Sequence, residues 1–294
     1  MRGVSDKGSG VICAEESAGK EVFVTEEELT DYAHTLAYAR PDRSMDARRV
    51  RAPFRVERVW DEGARYIGLS VAIDDGDFLA SHCRPGQYTT FKFGEMKPRF
   101  LAIASAPDDE ARWEFLIDRE SGLGQYLLGE DRLRVGRQIL LSPAEGAGYP
   151  ADDWADNLAG RSVLLFSTGA GIASIRPVMN YWGANPEKAP SELALYYGER
   201  DVRHFAYAQD IASWRADGVR VYRAVENLGE DGAAQMPTDW MSPGHRYVQH
   251  AFETDAPTIE GASVFVSGAP VMMEIVIKKM LRLGVSPEHI HVNI

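Results

Sequence analysis

Residues 161–179, RSVLLFSTGAGIASIRPVM, constrain the fold more than any other stretch of this chain. Val163, Leu164, Leu165 and Phe166 form a short apolar run of the kind that becomes a buried strand. Thr168, Gly169, Ala170 and Gly171 break it, and Ile172, Ile175, Val178 and Met179 resume at helical spacing. Strand, glycine turn and helix in that order make a cradle for phosphate. Glycine lets the backbone approach an anion, and the helix start presents unpaired N–H groups and a partial positive charge. The same pattern also serves plain strand-to-helix connections, so the rest of the chain has to decide between the two.

Downstream the alternation continues. Apolar runs at 193–197, 219–222 and 263–267 alternate with helical candidates at 172–183, 205–216 and 270–283, a βαβ series that implies a parallel sheet covered by helices on both faces. Upstream the period is different. FRVERVW, YIGLSVAI, QYTTFKF, FLAIAS, WEFLID and RQILLSP read as short strands, with turns at Asp74-Asp75-Gly76 and Arg84-Pro85-Gly86. Strands at this spacing suggest an antiparallel barrel or sandwich. The expected organisation is an N-terminal extension over 1–49, a β-barrel domain over 50–150 and an α/β domain over 151–294, joined through a Gly-, Pro- and Asp-rich stretch at 143–160.

Within the extension, residues 1 to 24 read as disordered, and Thr25 with Glu28 makes a capping box for a helix running to Tyr38. Leu29, Tyr32, Leu36 and Tyr38 give it a partial apolar stripe, suited to the barrel or to another protein. Arginines at 40, 43, 48, 49, 51, 55 and 58 follow, either a solvated linker or a docking site for an acidic partner.

A net charge of −12 argues against nucleic acid, and no window approaches a membrane span. The N-terminus lacks the apolar core of a secretory signal, and two cysteines are too few for an iron–sulfur cluster. A cytoplasmic setting is expected. His289 and His291 read as surface residues rather than a metal pair, and no metal site is expected.

A barrel followed by a parallel α/β domain, with these turns in this order, resembles the ferredoxin–NADP reductase family over residues 52–294. The resemblance implies FAD on the barrel, NAD(P)H on the α/β domain and hydride transfer between them. The family's flavin motif is Arg, any residue, Tyr, Ser or Thr, two residues, then Ser. Here it reads Arg99-Phe100-Leu101-Ala102-Ile103-Ala104-Ser105, with arginine and the last serine kept. Arg99 suits a pyrophosphate, whose oxygens its planar fork can pair bidentately. Gly122-Leu123-Gly124-Gln125 corresponds to the second flavin element, a helix start with glutamine at the usual hydroxyl position.

The resemblance also assigns Thr168, Gly169, Gly171, Ile172 and Ala173 to the pyridine-nucleotide turn. Tyr197-Gly198-Glu199-Arg200 resembles the strand end near the adenosine ribose: Glu199 or Asp201 there would favour NADH, Arg200 or Arg203 NADPH. Ser267-Gly268-Ala269-Pro270 resembles the Cys-Gly-Pro turn under the nicotinamide, with Ser267 as the residue at the reacting ring. Together these imply an FAD-dependent NAD(P)H oxidoreductase passing electrons to an acceptor, an acidic electron carrier being one candidate. The alternative is a reductase-like subunit that keeps the fold and scaffolds a partner.

Overall fold

The computed structural model describes residues 25–40, 51–107, 111–129, 132–149, 158, 161–227 and 245–293. Arg43, Arg48, Arg49 and the segment expected to be disordered lie outside them. After one helix, α1 (Glu26–Tyr38), the chain builds β1 (Ala52–Glu62), β2 (Tyr66–Ala72), α2 (Gly76–Ser81), β3 (Tyr88–Lys92), β4 (Arg99–Ala102), β5 (Arg112–Asp118), α3 (Gly122–Leu128) and β6 (Gln138–Leu141). The six strands form one antiparallel sheet in the order β4-β3-β6-β1-β2-β5. Beyond β4 the chain reaches β5 at the opposite edge. The N–H of Ala104 donates to the carbonyl of Glu114 at 2.8 Å, and that of Ile103 to Gln87 at 3.0 Å, so the sheet curls towards closure. Alternation sends Ile67, Leu69 and Val71 of β2 into the barrel core with Phe91, Trp113 and Phe115, while Tyr66 packs into the α/β core instead.

Asp75 does not merely turn the chain. Its carboxylate accepts from the N–H groups of Asp77 at 2.9 Å and Phe78 at 3.2 Å, and so starts α2 where the sequence reads only as a turn.

The second half comprises β7 (Ser162–Thr168), α4 (Ile172–Ala184), β8 (Glu192–Glu199), α5 (Ala208–Ala216), β9 (Arg220–Val225), α6 (Val248–Asp255), β10 (Ser263–Ser267), α7 (Pro270–Arg282) and β11 (Ile290–Val292). Its five strands are all parallel, in the order β11-β10-β7-β8-β9. The central strand β7 is buried from Ser162 to Ser167, as a strand covered on both faces must be. Tyr149, Phe265 and Trp182 stack on one face of the sheet, and Phe166, Tyr196 and Tyr222 on the other. Helix α6 and strand β11 were not legible from periodicity; both are short.

Helix α1 packs on the α/β domain, not on the barrel. Its buried stripe is Leu29, Ala33 and Ala37, set among Met273, Ile277 and Met280 of α7. Glu26 pairs with Arg282, and His34 Nδ1 lies 3.3 Å from Glu274. These end-to-end pairings make the two helices antiparallel, so the end of α1 meets the start of α7.

Candidate functional site: a cleft at the sheet switch point

Strand order reverses at β7: the next strand, β8, lies on one side of it and β10 on the other. Ligands of open parallel sheets bind at the carboxyl ends of the strands at such a point. A cleft of about 870 Å³ opens there, lined by Thr168, Gly169 and Gly171 after β7, Gly198 and Arg200 after β8, and Ser267 and Gly268 after β10.

Two glycine turns build its floor by interlocking. Gly268 has φ +137°, and a Cβ on it would stand 2.3 Å from Thr168 Oγ1 and 2.6 Å from the Thr168 carbonyl oxygen. A Cβ on Gly171 would stand 2.6 Å from the Ser267 carbonyl oxygen. Thr168 Oγ1 accepts from the Ala269 N–H at 2.9 Å, tying one turn to the other. Ile172 and Ala173 are buried beneath the turn and pack α4 on the sheet rather than facing the cleft. Both α4 and α7 start here without a side-chain cap, so two helix N-termini, with their unpaired N–H groups and partial positive charge, converge on one cavity.

The far end of the cleft sorts the charged residues. Glu199 lines the cleft, but its carboxylate is withdrawn into hydrogen bonds. Its side chain is 1 % exposed, accepts from the hydroxyls of Tyr66 at 2.6 Å and Tyr197 at 2.9 Å, and has Arg65 at 3.8 Å. Burial is the main influence on this carboxyl and pushes its pKa up, against the opposing pull of the two phenols and Arg65. Asp201 is engaged with Arg203 by two bonds of 2.9 Å, which hold its pKa down to about 2. Glu226, Arg200 and Arg246 also line the cleft, with Tyr247 beneath the Arg246 guanidinium.

Ser267 is buried, and its hydroxyl bonds the hydroxyl of Tyr149, which also lies 3.1 Å from Ser174 Oγ. Tyr149 comes from the connection between the domains, a residue that nothing in its sequence surroundings singles out. His291 is half-buried edge-on against Phe265 at 5.1 Å, which corrects its reading as a surface residue. Burial lowers its pKa to about 4.

On the barrel, β4 is an edge strand, so one row of its backbone groups has no partner strand. Arg99 is exposed at its start, Leu101 packs against the barrel core, and Phe100 meets Tyr88 edge-on at 5.4 Å. Phe100 and Ala102 line a second, smaller cleft of about 230 Å³, which also touches Tyr88, Gly268 and Asn293. Ser105 lies apart from this. It is buried, donates to the Arg112 carbonyl at 3.2 Å and accepts from the Glu114 N–H at 3.1 Å, so its hydroxyl fastens the barrel. At the start of α3, Ser121 caps the Gly124 N–H at 3.0 Å, leaving those of Gly122 and Leu123 as the first-turn donors. Leu123 and Gly124 are buried, Gln125 is exposed, and a Cβ on Gly124 would stand 2.1 Å from the Asp118 carbonyl oxygen.

The domains meet through polar contacts that sequence reasoning did not find. Arg176 of α4 bonds Glu114 Oε2 of the barrel at 2.5 Å and the Ala104 carbonyl at 3.1 Å, and is held in place by Asp210 Oδ2 of its own domain at 2.5 Å. Glu62 accepts from the Tyr207 N–H at 2.7 Å. These partners lie 34 to 145 residues apart, beyond the reach of any local pattern.

Residues 165–278 match the family model described as an oxidoreductase NAD-binding domain. The chain is 26 % identical over 215 residues to the ferredoxin–NAD(P)(+) reductase component of the naphthalene 1,2-dioxygenase system of Pseudomonas putida, covering 71 % of this chain and 59 % of that one. It is 26 % identical over 256 residues to a fruit protein of Actinidia deliciosa, covering 82 % and 76 %. The fold matches a ferredoxin NADP+ reductase from Neisseria gonorrhoeae solved with FAD and NADP, with TM-score 0.64 and 14 % identity over 82 % of this chain and 97 % of that one. It also matches a cytochrome P450 reductase of Amycolatopsis, with TM-score 0.66 and 21 % identity over 83 % and 70 %. Residues 165–278 are thus similar to an oxidoreductase NAD-binding domain, and the two-sheet fold is shared with solved ferredoxin reductase structures. It spans about 59 % of the length of the dioxygenase reductase component. Among the described residues no helix is long and apolar enough to cross a membrane, and no group of three His, Cys, Asp or Glu side chains is placed to hold a metal.

Proposed function

We propose that the chain is an NAD(P)H-dependent flavin oxidoreductase, with the nicotinamide nucleotide in the switch-point cleft and FAD on the barrel. One observation carries the reading: Gly268 and Asn293 line both the 870 Å³ cleft of the α/β domain and the 230 Å³ cleft against β4. Two elongated cofactors entering from opposite domains would meet end to end at that loop.

The donor set suits both groups. On the α/β side, the uncapped starts of α4 and α7 would hold a pyrophosphate through backbone N–H groups. Gly198, Arg200 and Arg246 would flank the adenosine end. On the barrel, the open edge of β4 would bond a flavin ring, Tyr88 and Phe100 would wall it, and Arg99 with the first turn of α3 would take its pyrophosphate. Ser267 and Gly268 would fix where the nicotinamide stops. A bound flavin supplies the two-electron acceptor chemistry, and the protein supplies position and exclusion of water. No side chain is needed as an acid or base for hydride transfer. The interdomain contacts of Arg176, Glu199 and Glu62 would hold the two sites in register.

Ferredoxin-type carriers serve the dioxygenase reductase relatives. A small acidic electron carrier is the acceptor we propose for this chain, in a soluble cytoplasmic setting. The test is purification followed by heat release and chromatography of any flavin, then anaerobic titration with NADH and NADPH. FAD released from the protein, bleached by either nucleotide before release, supports the reading. A colourless protein that takes up no added FAD overturns it in favour of the scaffold alternative.

A further inference from the structure

The smaller cleft has a third wall. Besides the barrel (Tyr88, Phe100) and the nicotinamide loop (Gly268, Pro270), it is lined by Ala37, Ala39 and Arg40, the end of α1. This is an odd place for an N-terminal extension. The helix precedes the barrel in sequence, yet it docks on the α/β domain and delivers its last residues to the cleft between the two.

Its docking is not incidental. The capping box at Thr25 and Glu28 starts the helix, with the Glu28 N–H donating to Thr25 Oγ1 at 3.1 Å and the Thr25 N–H to Glu28 Oε2 at 3.0 Å. Leu29, Ala33 and Ala37 are 3 %, 0 % and 1 % exposed. Small residues at i and i+4 let α1 lie close on α7, and the Glu26–Arg282 pair fixes its register. Antiparallel packing then has one outcome: Ala39 and Arg40 stand at the start of α7, beside Pro270. Arg40 NH1 bonds its neighbour's carbonyl, that of Ala39 at 2.7 Å, and its guanidinium pairs with no carboxylate among the described residues.

We propose that the end of α1 is part of the flavin site: Ala37 and Ala39 cover the cleft, and Arg40 sets a positive charge beside the bound ring. The proposal rests on the flavin reading above. A nearby cation favours whichever redox state of the ring carries more negative charge, here the reduced one. Arg40 thereby raises the flavin's reduction potential, and the cover limits the access of solutes to the ring.

Two variants of the full-length holoprotein test this. In Arg40→Met the charge is lost and the stem is kept; in Arg40→Lys the charge is kept. Dye-coupled equilibrium titration reads the potential of the bound flavin. The expected result is a more negative potential for Arg40→Met, a near wild-type value for Arg40→Lys, and a difference that shrinks with added salt. Ala33→Asp forces a carboxylate into the α1–α7 contact and releases the helix. Iodide quenching of flavin fluorescence should then rise, with new protease cuts confined to α1. An unchanged potential in Arg40→Met, or quenching unchanged in an Ala33→Asp protein whose α1 is cleaved, overturns the proposal while leaving the reductase reading intact. A protein that binds no flavin overturns both.

Discussion

Glu199 is the residue whose substitution separates the value of an acceptor from the value of a charge. It sits at the end of β8, where the two domains meet, with its side chain 1 % exposed. Tyr66 donates to it from the barrel at 2.6 Å and Tyr197 from its own strand at 2.9 Å. Glu199→Ala leaves two buried hydroxyls without their acceptor. A hydrogen bond to a charged group contributes about 1.5–3 kcal/mol, and breaking a buried polar network costs about 3–5 kcal/mol. At about 2–4 °C per kcal/mol for a chain of this class, the melting temperature should fall by on the order of 10 °C.

Glu199→Gln keeps an oxygen to accept from both phenols and removes only the ionised form. Arg65 retains Asp118 at 2.6 Å. The net change at neutral pH should stay within about 1 kcal/mol, because the lost charge was itself costly to bury. The pH dependence follows from the sign. The folded pKa is raised above the ordinary value of 4.5, so in this window the folded state binds more protons than the unfolded one. Stability contributed by this group is full below 4.5 and declines as pH rises through the raised folded value. Glutamine abolishes that decline, so the variant should gain on the wild type as pH rises. Scanning calorimetry from acid to neutral pH reads both effects. If the glutamine variant melts as low as the alanine variant, or tracks the wild type in parallel at every pH, competition between acceptor and buried charge does not govern this site.

Three further outcomes are expected. Gly171→Val and Gly268→Ala should each lose nucleotide binding and also lower the melting temperature, because the added carbon meets the opposite turn's backbone and not only a ligand; calorimetry alongside nucleotide titration checks both, and intact stability in either would show that the turns are not interlocked. Arg200→Ala should weaken NADPH binding about 10-fold or more while changing NADH little, the loss of one charge-assisted bond to a 2′-phosphate; equal effects on both nucleotides would remove Arg200 from that role. Deleting residues 1–24 should leave the melting temperature near wild type, whereas deleting 1–40 should cost about 3–5 kcal/mol by stripping Leu29, Ala33 and Ala37 from the α7 face; a stable 41–294 fragment would show that α1 adds nothing to the core.

What could be read from the sequence was what a few neighbouring residues decide by themselves. The strand, glycine turn and helix at 161–179 are such a case, as is the capping box at Thr25. The direction in which Glu199 points was not legible, since its principal donor, Tyr66, is 133 residues away on the other domain. The docking face of α1 was half legible. Large residues drew attention to Leu29, Tyr32 and Leu36, but Ala33 and Ala37 are what permit the close approach, and Tyr38 stays exposed. Ser105 shows the converse. A serine at a motif position suggested a ligand contact, and its hydroxyl is spent on the Arg112 carbonyl and the Glu114 N–H.

The departures from the reductase motif fall where backbone groups can act in place of side chains. At Leu101 and Ala102 the open edge of β4 still offers N–H and carbonyl groups whatever the side chains are. At Gln125 the first-turn N–H groups of α3 belong to Gly122 and Leu123, and Ser121 already supplies the cap. At Ser267 the hydroxyl interacts with that of Tyr149, which ties the loop after β10 to the interdomain connection. The positions that admit no such exchange are Gly171 and Gly268, because each faces the other turn's main chain at under 3 Å. Substitution is therefore expected to be tolerated at the first set and not at the second.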